Sequence, residues 1–275
     1  ISFKNLSYEW KKNPINRTVI INYIIKKIID KNKINNINYL EIGCFDNANF
    51  NNINFKNINK IGVDPVSGGN LRSTSDKFFL KNKTRFHCIF IDGSHIYEQV
   101  QKDFLNSLKF LEKGGYIILH DCIPRNFIEE NIPRFPSNKP WTGDVWKVCM
   151  EINKNPEMNF KILMCDNGVG VFKKDKDNNN YYKLNYILKN KRFKYFLNYC
   201  FPKLKKIEVN SIDKLNGYIW KKYAVYWKKE DKTKENKYTI YIILFMFWIS
   251  YQKYNKEKMN EGLNIFYKFF KSLKF

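Results

Sequence analysis

The sequence has little of several features that would define its class at once. It has six cysteines but no CxxC pair among them, and it has only three histidines. Because the cysteines have no regular spacing and several lie inside apolar runs, we expect buried, reduced thiols and no disulfide framework. Reduced thiols favour a cytoplasmic location. The cysteines are Cys44, Cys88, Cys122, Cys149, Cys165 and Cys200.

Long apolar stretches are also missing. The opening residues lack the apolar core of a signal peptide, so we expect no secretion. The most apolar stretch, Tyr238 to Tyr254, is shorter than the roughly 20 residues that a membrane span needs. It predicts a buried helix in a small helical appendage, and an interfacial membrane helix or a contact between copies of the chain is the alternative.

Acidic residues are scarce beside basic ones: 26 Asp and Glu against 49 Lys and Arg give a net charge of +23. Residues 176–275 hold 23 basic and 8 acidic residues (+15), whereas residues 1–175 hold 26 and 18 (+8). The basic tail would attract phosphates, whether in nucleic acid, in nucleotide-linked substrates or in anionic lipid headgroups. A lysine-rich solvated surface would explain the same excess.

Short apolar runs that end at polar residues recur along the first part of the chain. This pattern is typical of parallel strands that are buried on both faces and carry chemistry at their carboxyl ends. The runs are "NINYLEIGCF", ending at Glu41-Ile42-Gly43, "KIGVDP" at Asp64, "RFHCIFIDG" at Asp92 and "GGYIILHDC" at His120-Asp121.

Helical spacing separates these runs. "HIYEQVQKDFLNSLKFLEKGG" has apolar residues at three- and four-residue steps, which predicts an amphipathic helix ending at Gly114-Gly115. A second helix is predicted over Arg17–Lys31. Alternating strands and helices predict a doubly wound, mostly parallel α/β sheet.

The pattern changes towards the C-terminus. "NFKILMCDNGVGVFKK" has two apolar runs joined at Asn167-Gly168, which predicts an antiparallel hairpin that closes the sheet. The proline-rich stretch before it predicts a loop over the strand ends. After Asp175 a polar linker leads into a basic, aromatic-rich segment with helical spacing. We therefore predict two domains, residues 1–175 and a helical extension over 176–275.

The order of strand ends, Glu-x-Gly, Asp, Asp and His-Asp before a hairpin, resembles class I S-adenosylmethionine-dependent methyltransferases. "IDGSHIYEQV", "GGYIILHDC" and the downstream "GDVWK" resemble more narrowly a bacterial-type branch of sugar and small-molecule O-methyltransferases, methyltransferase domain family 24. The similar stretches run from Tyr39 to Phe172. The resemblance implies a Rossmann-like fold, S-adenosylmethionine as cofactor and methyl transfer to an oxygen acceptor, a sugar or surface-glycan precursor.

Two positions depart from that family's pattern. Its glycine-rich turn carries a second glycine, where this chain has Asp46, Asn47 and Ala48. His87 stands where the family often has an acid, and we interpret it as a hydrogen-bonded histidine at a strand edge.

The resemblance implies a set of cofactor contacts. Gly43 would let the backbone approach the cofactor, and Glu41 would accept from its ammonium group or from the loop amides. Asp64 would accept the ribose hydroxyls, or else cap a helix. Ser75 and Asp76 would lie beside the adenine, or else form a helix N-cap. Asp92 lies in the same cleft, as a cofactor contact or as a metal ligand.

Two routes could activate the acceptor hydroxyl. His95 and His120 follow strand ends over one cleft and could act as general base, with Asp121 orienting a histidine. Alternatively, Asp92 and Asp121 could hold magnesium, with His120 completing the set, as the resemblance to catechol-type O-methyltransferases implies. Cys122 argues against magnesium, because those relatives offer an oxygen ligand at that position.

"GDVWK" also carries a candidate residue. Asp144 could cap the helix that begins there or face the substrate, and Trp146 could pack inside the fold.

Other functions remain open at this point. The basic, aromatic tail would suit an RNA methyltransferase, and a binding protein could keep the fold without catalysis. The partners we expect are an anionic or nucleotide-linked acceptor and, through the tail, nucleic acid, a membrane surface or a second copy of the chain.

Overall fold

The computed structural model describes residues 13–32, 34, 36–134, 140–176 and 188–208. The chain divides into two compact units, residues 1–215 and 216–275, and every described residue lies in the first. The predicted apolar helix at Tyr238–Tyr254 and most of the predicted extension lie outside the described residues. The boundary at 175/176 stays a prediction.

The fold is an α/β sheet of eight strands in the order β3-β2-β1-β4-β5-β7-β6-β8. Strand β7 runs antiparallel to its neighbours β5 and β6, and the other neighbouring pairs are parallel. This confirms the predicted mostly parallel sheet with an antiparallel hairpin. The strands are β1 (Ile37–Ile42), β2 (Ile58–Asp64), β3 (Leu71–Arg72), β4 (Phe86–Ile91), β5 (Leu111–Leu119), β6 (Asn159–Leu163), β7 (Val169–Lys173) and β8 (Lys206–Ile207).

Helices cover both faces of the sheet. The predicted helix over Arg17–Lys31 is confirmed as α1. The second predicted helix ends at Phe110, earlier than we expected, because Gly114-Gly115 lies within β5 and does not terminate the helix. The helices are α1 (Arg17–Asn32), α2 (Ala48–Asn52), α3 (Ser75–Lys81), α4 (Tyr97–Phe110), α5 (Phe127–Glu130), α6 (Trp146–Lys154) and α7 (Phe193–Tyr195).

Two apolar clusters form the core. Helices α3, α4 and α6 contribute to one, which includes Phe104 and Trp146, and α1 and α2 contribute to the other, which includes Ile21 and Phe50. Successive β1 residues alternate between them, since Tyr39 belongs to the second cluster and Leu40 to the first. The strands are therefore buried on both faces, as their continuous apolar runs predict.

Residues 188–208 pack onto this same sheet. Their buried apolar side chains belong to the cluster of α4 and α6, and β8 pairs parallel to β6. Part of the stretch that we predicted as an extension therefore contributes to the core of the first unit. The buried residues are Leu188, Phe193, Phe196, Cys200 and Leu204.

The topology gathers the strand ends at one edge. Because β1, β2, β4, β5 and β6 all point the same way, the residues that follow them lie together. Within the described part of the chain, no helix is both long enough and apolar enough to cross a membrane.

Candidate active site

A cluster of histidines and carboxylates lies where β4 and β5 end. His95 Nε2 lies 3.4 Å from Asp92 Oδ1 and 3.5 Å from Asp121 Oδ2. His120 Nδ1 lies 3.2 Å from the same Asp92 oxygen and 3.4 Å from Asp121 Oδ1. The structure therefore brings together all four residues that we assigned to acceptor activation.

Two residues that sequence reasoning missed complete the cluster. Asp166 Oδ2 lies 3.4 Å from His120 Nε2, and it accepts from the Arg17 backbone N–H at 2.8 Å and from Arg17 Nη1 at 3.2 Å. Arg17 Nε lies 3.8 Å from Asp92 Oδ2. The sequence signal that could have identified Asp166 is its position directly before the Asn167-Gly168 turn. Because β6 runs parallel to β5, the residues that follow β6 lie at the same edge of the sheet as those that follow β5.

The carboxylates favour the charged form of both histidines. Burial opposes the charge of His95, but Asp92 and Asp121 raise its pKa, and the pKa of His120 lies well above its usual value for the same reason. Burial would likewise raise the pKa of Asp92, but the two histidines lower it. The pKa of Asp166 falls to about 2, because the bonds from His120 and Arg17 outweigh its burial.

The geometry around His95 indicates which ring nitrogen carries a proton. Nδ1 lies 2.9 Å from the carbonyl oxygen of Trp141, so Nδ1 donates there. In the neutral ring, Nε2 would then be a bare lone pair facing two carboxylates. That arrangement is stable when Nε2 is protonated or when a cation lies between Nε2 and the carboxylates.

One group within the cluster has the spacing of a cation site. Asp92, His95 and Asp121 each offer a ligand atom, and these atoms lie within 4.8 Å of one another. His120 is not part of this group. Cys122 is fully buried in the apolar core, with Sγ 3.4 Å from the Leu119 carbonyl oxygen, so its thiol is turned away from the site.

The loop after β1 approaches the cluster closely. A Cβ atom on Gly43 would lie 2.4 Å from the Asp92 carbonyl oxygen, and Gly43 has φ +86°, so only glycine fits there. The missing second glycine has a physical substitute: Asn47 has φ 63° and ψ 9°, a left-handed conformation that asparagine tolerates. Its Oδ1 accepts from the Gly69 N–H at 2.6 Å and so fastens this loop to the next.

Asp64 organises the loops at the end of β2. Its Oδ2 accepts from the backbone N–H groups of Cys44 (3.0 Å) and Phe45 (3.1 Å). Its Oδ1 accepts from Val66 (2.8 Å) and Ser67 (2.9 Å). Burial opposes the charge of Asp64, but these four bonds lower its pKa. The ribose contact of Asp64 stays a prediction.

Glu41 lies in a buried polar network at the end of β1. Its Oε2 accepts from Tyr39 Oη at 2.6 Å and from Asn49 Nδ2 at 2.8 Å. Burial raises the pKa of Glu41 to about 7. Within the described residues no hydrogen bond reaches Oε1, which leaves an acceptor for a cationic group.

The predicted pair Ser75-Asp76 begins α3, but neither residue is its N-cap. Thr74 is the cap, and its side chain accepts from the Lys77 N–H at 3.3 Å. Gln99 Nε2 lies 3.2 Å from Ser75 Oγ and 3.3 Å from Asp76 Oδ1. The pair is thus linked to α4, and its predicted contact with adenine stays a prediction.

The "GDVWK" motif holds the loop that carries His95. Asp144 Oδ1 accepts from the Tyr97 N–H at 2.6 Å, so Asp144 caps α4. The cap that we considered for the helix beginning at Trp146 is not formed, because among the described residues no side chain caps α6. Trp146 is fully buried, as predicted. His87 lies near the start of β4, where its Nδ1 accepts from the Asn38 N–H at 3.1 Å, as expected for a hydrogen-bonded strand histidine.

Comparison with known proteins agrees with this architecture. Residues 40–122 match the sequence profile of a family described as a methyltransferase domain. The matched segment runs from β1 to the residues just after β5 and includes the turn at Gly43 and the acids at Asp64, Asp92 and Asp121. Residues 40–122 are therefore similar in sequence to a methyltransferase domain, and this similarity covers less than half of the chain.

Individual relatives are distant. The chain is 28% identical over 140 residues to the uncharacterized protein R132 of Acanthamoeba polyphaga mimivirus, a match that covers 40% of this chain and 63% of that protein. Among solved structures it is similar to an O-methyltransferase from Bacillus cereus in complex with SAH (15% identity, TM-score 0.41, 59% of this chain and 83% of the other). It is also similar to the SAH-bound methyltransferase PaMTH1 from Podospora anserina (13% identity, TM-score 0.40, 60% and 81%).

Proposed function

We propose that this protein transfers a methyl group from S-adenosylmethionine to a hydroxyl oxygen of a sugar or surface-glycan precursor. One observation carries the proposal: the turn at Gly43, where the cofactor would bind, touches the backbone of Asp92, which belongs to the histidine–carboxylate cluster. A methyl donor in that turn would therefore lie next to groups able to bind and deprotonate a hydroxyl. The sugar class is supported only by the motif resemblance described above.

The cofactor-side residues fit the donor in part. Glu41 has a carboxylate oxygen left to accept from the ammonium group of the donor's amino acid, and Gly43 leaves room for a close approach. Asp64 fits less directly, because its four bonds to loop amides use the roughly four lone-pair sites of a carboxylate. Ribose hydroxyls would have to share or displace these amides.

The chemistry requires alignment and a proton acceptor. S-Adenosylmethionine supplies an electrophilic methyl group, and the protein must aim the acceptor oxygen at it in line. A general base contributes roughly 10²- to 10⁴-fold when its pKa is near the working pH. With raised pKa values, His95 and His120 would hold a proton more tightly than a free imidazole and would have to lose it before they could act as bases.

A divalent cation would remove the need for a histidine to lose a proton before the transfer. At the Asp92, His95 and Asp121 group it would supply positive charge to the acceptor oxygen and leave His95 unprotonated at Nε2. The hydrogen bond from His95 Nδ1 to the Trp141 carbonyl is the kind of outer bond that orients a histidine ligand. We therefore propose both routes for test, a histidine base working at raised pH and a cation-assisted reaction near neutrality.

Turnover assays with a labelled methyl donor test the function. Nucleotide-linked sugars, free sugars and RNA should be offered separately, and we expect methylation of a sugar hydroxyl. His95→Gln and His120→Gln should lower the rate by roughly 10²-fold or more. His87→Gln is the matched control, because His87 lies away from the cluster and should leave the rate unchanged.

Metal dependence separates the two routes. If a cation assists, a chelator should abolish turnover near neutral pH and magnesium should restore it. If a histidine acts alone, the chelator should do little and the rate should rise with pH as the histidine deprotonates. Donor binding without methylation of any acceptor would favour a binding protein, and methylation of RNA alone would contradict the sugar proposal.

A further inference from the structure

We propose that Asp144 and Lys147 are positioning residues for His95. They fix the direction in which its Nε2 atom points, towards Asp92 and Asp121. This inference rests on the role proposed above for His95 in the transfer.

The segment from Trp141 to Asp144 holds His95 on several sides. The Trp141 carbonyl oxygen lies 2.9 Å from Nδ1, and the indole stacks on the imidazole with ring centres 5.0 Å apart at 28°. The His95 carbonyl oxygen accepts from the Asp144 N–H at 3.0 Å. A Cβ atom on Gly143 would lie 2.1 Å from that oxygen, so the approach requires glycine, which has φ +57° here.

The Asp144 carboxylate also bonds to the first residue of α4. The residue that precedes α4, Ile96, has no side chain able to cap the helix, and Asp144 Oδ1 accepts from the Tyr97 N–H at 2.6 Å instead. Residues 95 and 97 are thus both bonded to residue 144, one through its backbone and one through its side chain. Swinging the His95 backbone away from the cluster would break both bonds.

Lys147 fixes the carboxylate itself. Its side chain is 1% exposed, and Nζ donates to Asp144 Oδ2 at 2.8 Å and to the Lys189 carbonyl oxygen at 2.9 Å. With both carboxylate oxygens bonded, Asp144 cannot rotate without leaving a buried charge unpaired. The second bond also fastens the segment to residues 188–208, which pack on the same sheet.

Nitrogen NMR of the histidine rings tests the proposal, because the chain has only three histidines. The full-length protein with ¹⁵N-labelled histidine would be recorded with chelator at one fixed pH, and His87→Gln would help assignment. In the wild type we expect a slowly exchanging Nδ1 proton on His95. Asp144→Ala should lose that protection and move both ring-nitrogen shifts, and Lys147→Met should act in the same direction.

Kinetics give a second readout. A misplaced imidazole should lower kcat by about 10²-fold in Asp144→Ala while KM for the methyl donor stays unchanged. The NMR result needs no acceptor, so the positioning claim is tested even if the proposed transfer reaction is wrong.

The matched control is Glu151→Gln. Glu151 is a buried acid on α6 that bonds to α4 through Tyr97 Oη and, at 2.9 Å, through Gln101 Nε2. It tests whether loosening the packing of these helices is enough to move His95, and we expect its His95 resonances to match the wild type. Equal changes in this control, or unchanged ring shifts in a folded Asp144→Ala, would overturn the proposal. Should Asp144→Ala not fold, the double variant Asp144→Asn/Lys147→Met keeps an acceptor for the cap but removes the bond from Lys147 to residue 144, and unchanged His95 shifts in it would overturn the role proposed for Lys147.

Discussion

Replacing Asp64 by asparagine tests how the loops after β1 and β2 are held. The carboxylate accepts four backbone N–H groups, two on each oxygen. Asparagine keeps one acceptor oxygen but turns an NH₂ group towards the other two donors. Two hydrogen bonds to a charged group are lost, at about 1.5–3 kcal/mol each, so the free energy of unfolding should fall by about 3–6 kcal/mol.

Urea denaturation near pH 7 measures this loss. Asp46→Asn is the control, because Asp46 is exposed in the same loop and accepts a single N–H, from Ala48, that asparagine can also accept. Its free energy of unfolding should differ little from the wild type. A fall of several kcal/mol is a large share of the stability of a typical domain.

The pH dependence gives an independent check. Because the native pKa of Asp64 is lowered, its stabilisation is fully present above the unfolded value near 3.8 and is lost as the pH falls through the native value. The difference between wild type and Asp64→Asn should therefore be constant from about pH 5 to 8 and shrink below about pH 4.

A different result would refute this reasoning. If Asp64→Asn is as stable as the wild type but binds the methyl donor more weakly, the carboxylate faces the ribose and not the loop amides. If stability and donor affinity both fall, Asp64 serves the cofactor through the loops that it holds.

Two further predictions concern the same end of the sheet. Burial raises the pKa of Glu41 to about 7, so its ionisation lowers the free energy of unfolding as the pH rises from the unfolded pKa of about 4.3 towards 7. Glu41→Gln should remove this pH dependence in urea denaturation at pH 5 and pH 8, and an unchanged dependence would contradict the buried placement of Glu41. Asn47→Val should lower the free energy of unfolding by about 1.5–3.5 kcal/mol, because valine is strained in the left-handed conformation and loses the bond to Gly69. Asn47→Gly loses only the bond and should cost about 1 kcal/mol, and equal costs would show that the backbone conformation is not left-handed.

The sheet and most of the cluster could be predicted from the sequence because they depend on local patterns. Apolar runs closed by Asp64, Asp92 and His120 identify parallel strands and their carboxyl ends, and parallel strands bring those ends together. The fold class follows from the same runs. The hairpin follows from Asn167-Gly168.

The parts that could not be predicted depend on contacts between distant segments. Asp166 belongs to the cluster only because β6 runs parallel to β5, with β7 between them. Asp144 looks like a cap for the helix beside it, and only tertiary packing shows that it caps α4. No local pattern marks Lys147 as buried, since a lysine in the first turn of an amphipathic helix ordinarily faces water.

Helix α1 connects the histidine–carboxylate cluster with the polar network around Glu41, although the sequence motifs of the two lie apart in the chain. Arg17, its first residue, bonds to Asp166 and so belongs to the histidine–carboxylate cluster. The next residue, Thr18, donates to Asn49 Oδ1 at 2.7 Å, and Asn49 in turn donates to Glu41 at the end of β1. Consecutive residues of one helix therefore touch both networks, so a shift of α1 large enough to release Arg17 would also disturb the support of Glu41. Because the N-terminus of α1 is held by Asp166 on one side and by Asn49 on the other, its position is coupled to both networks.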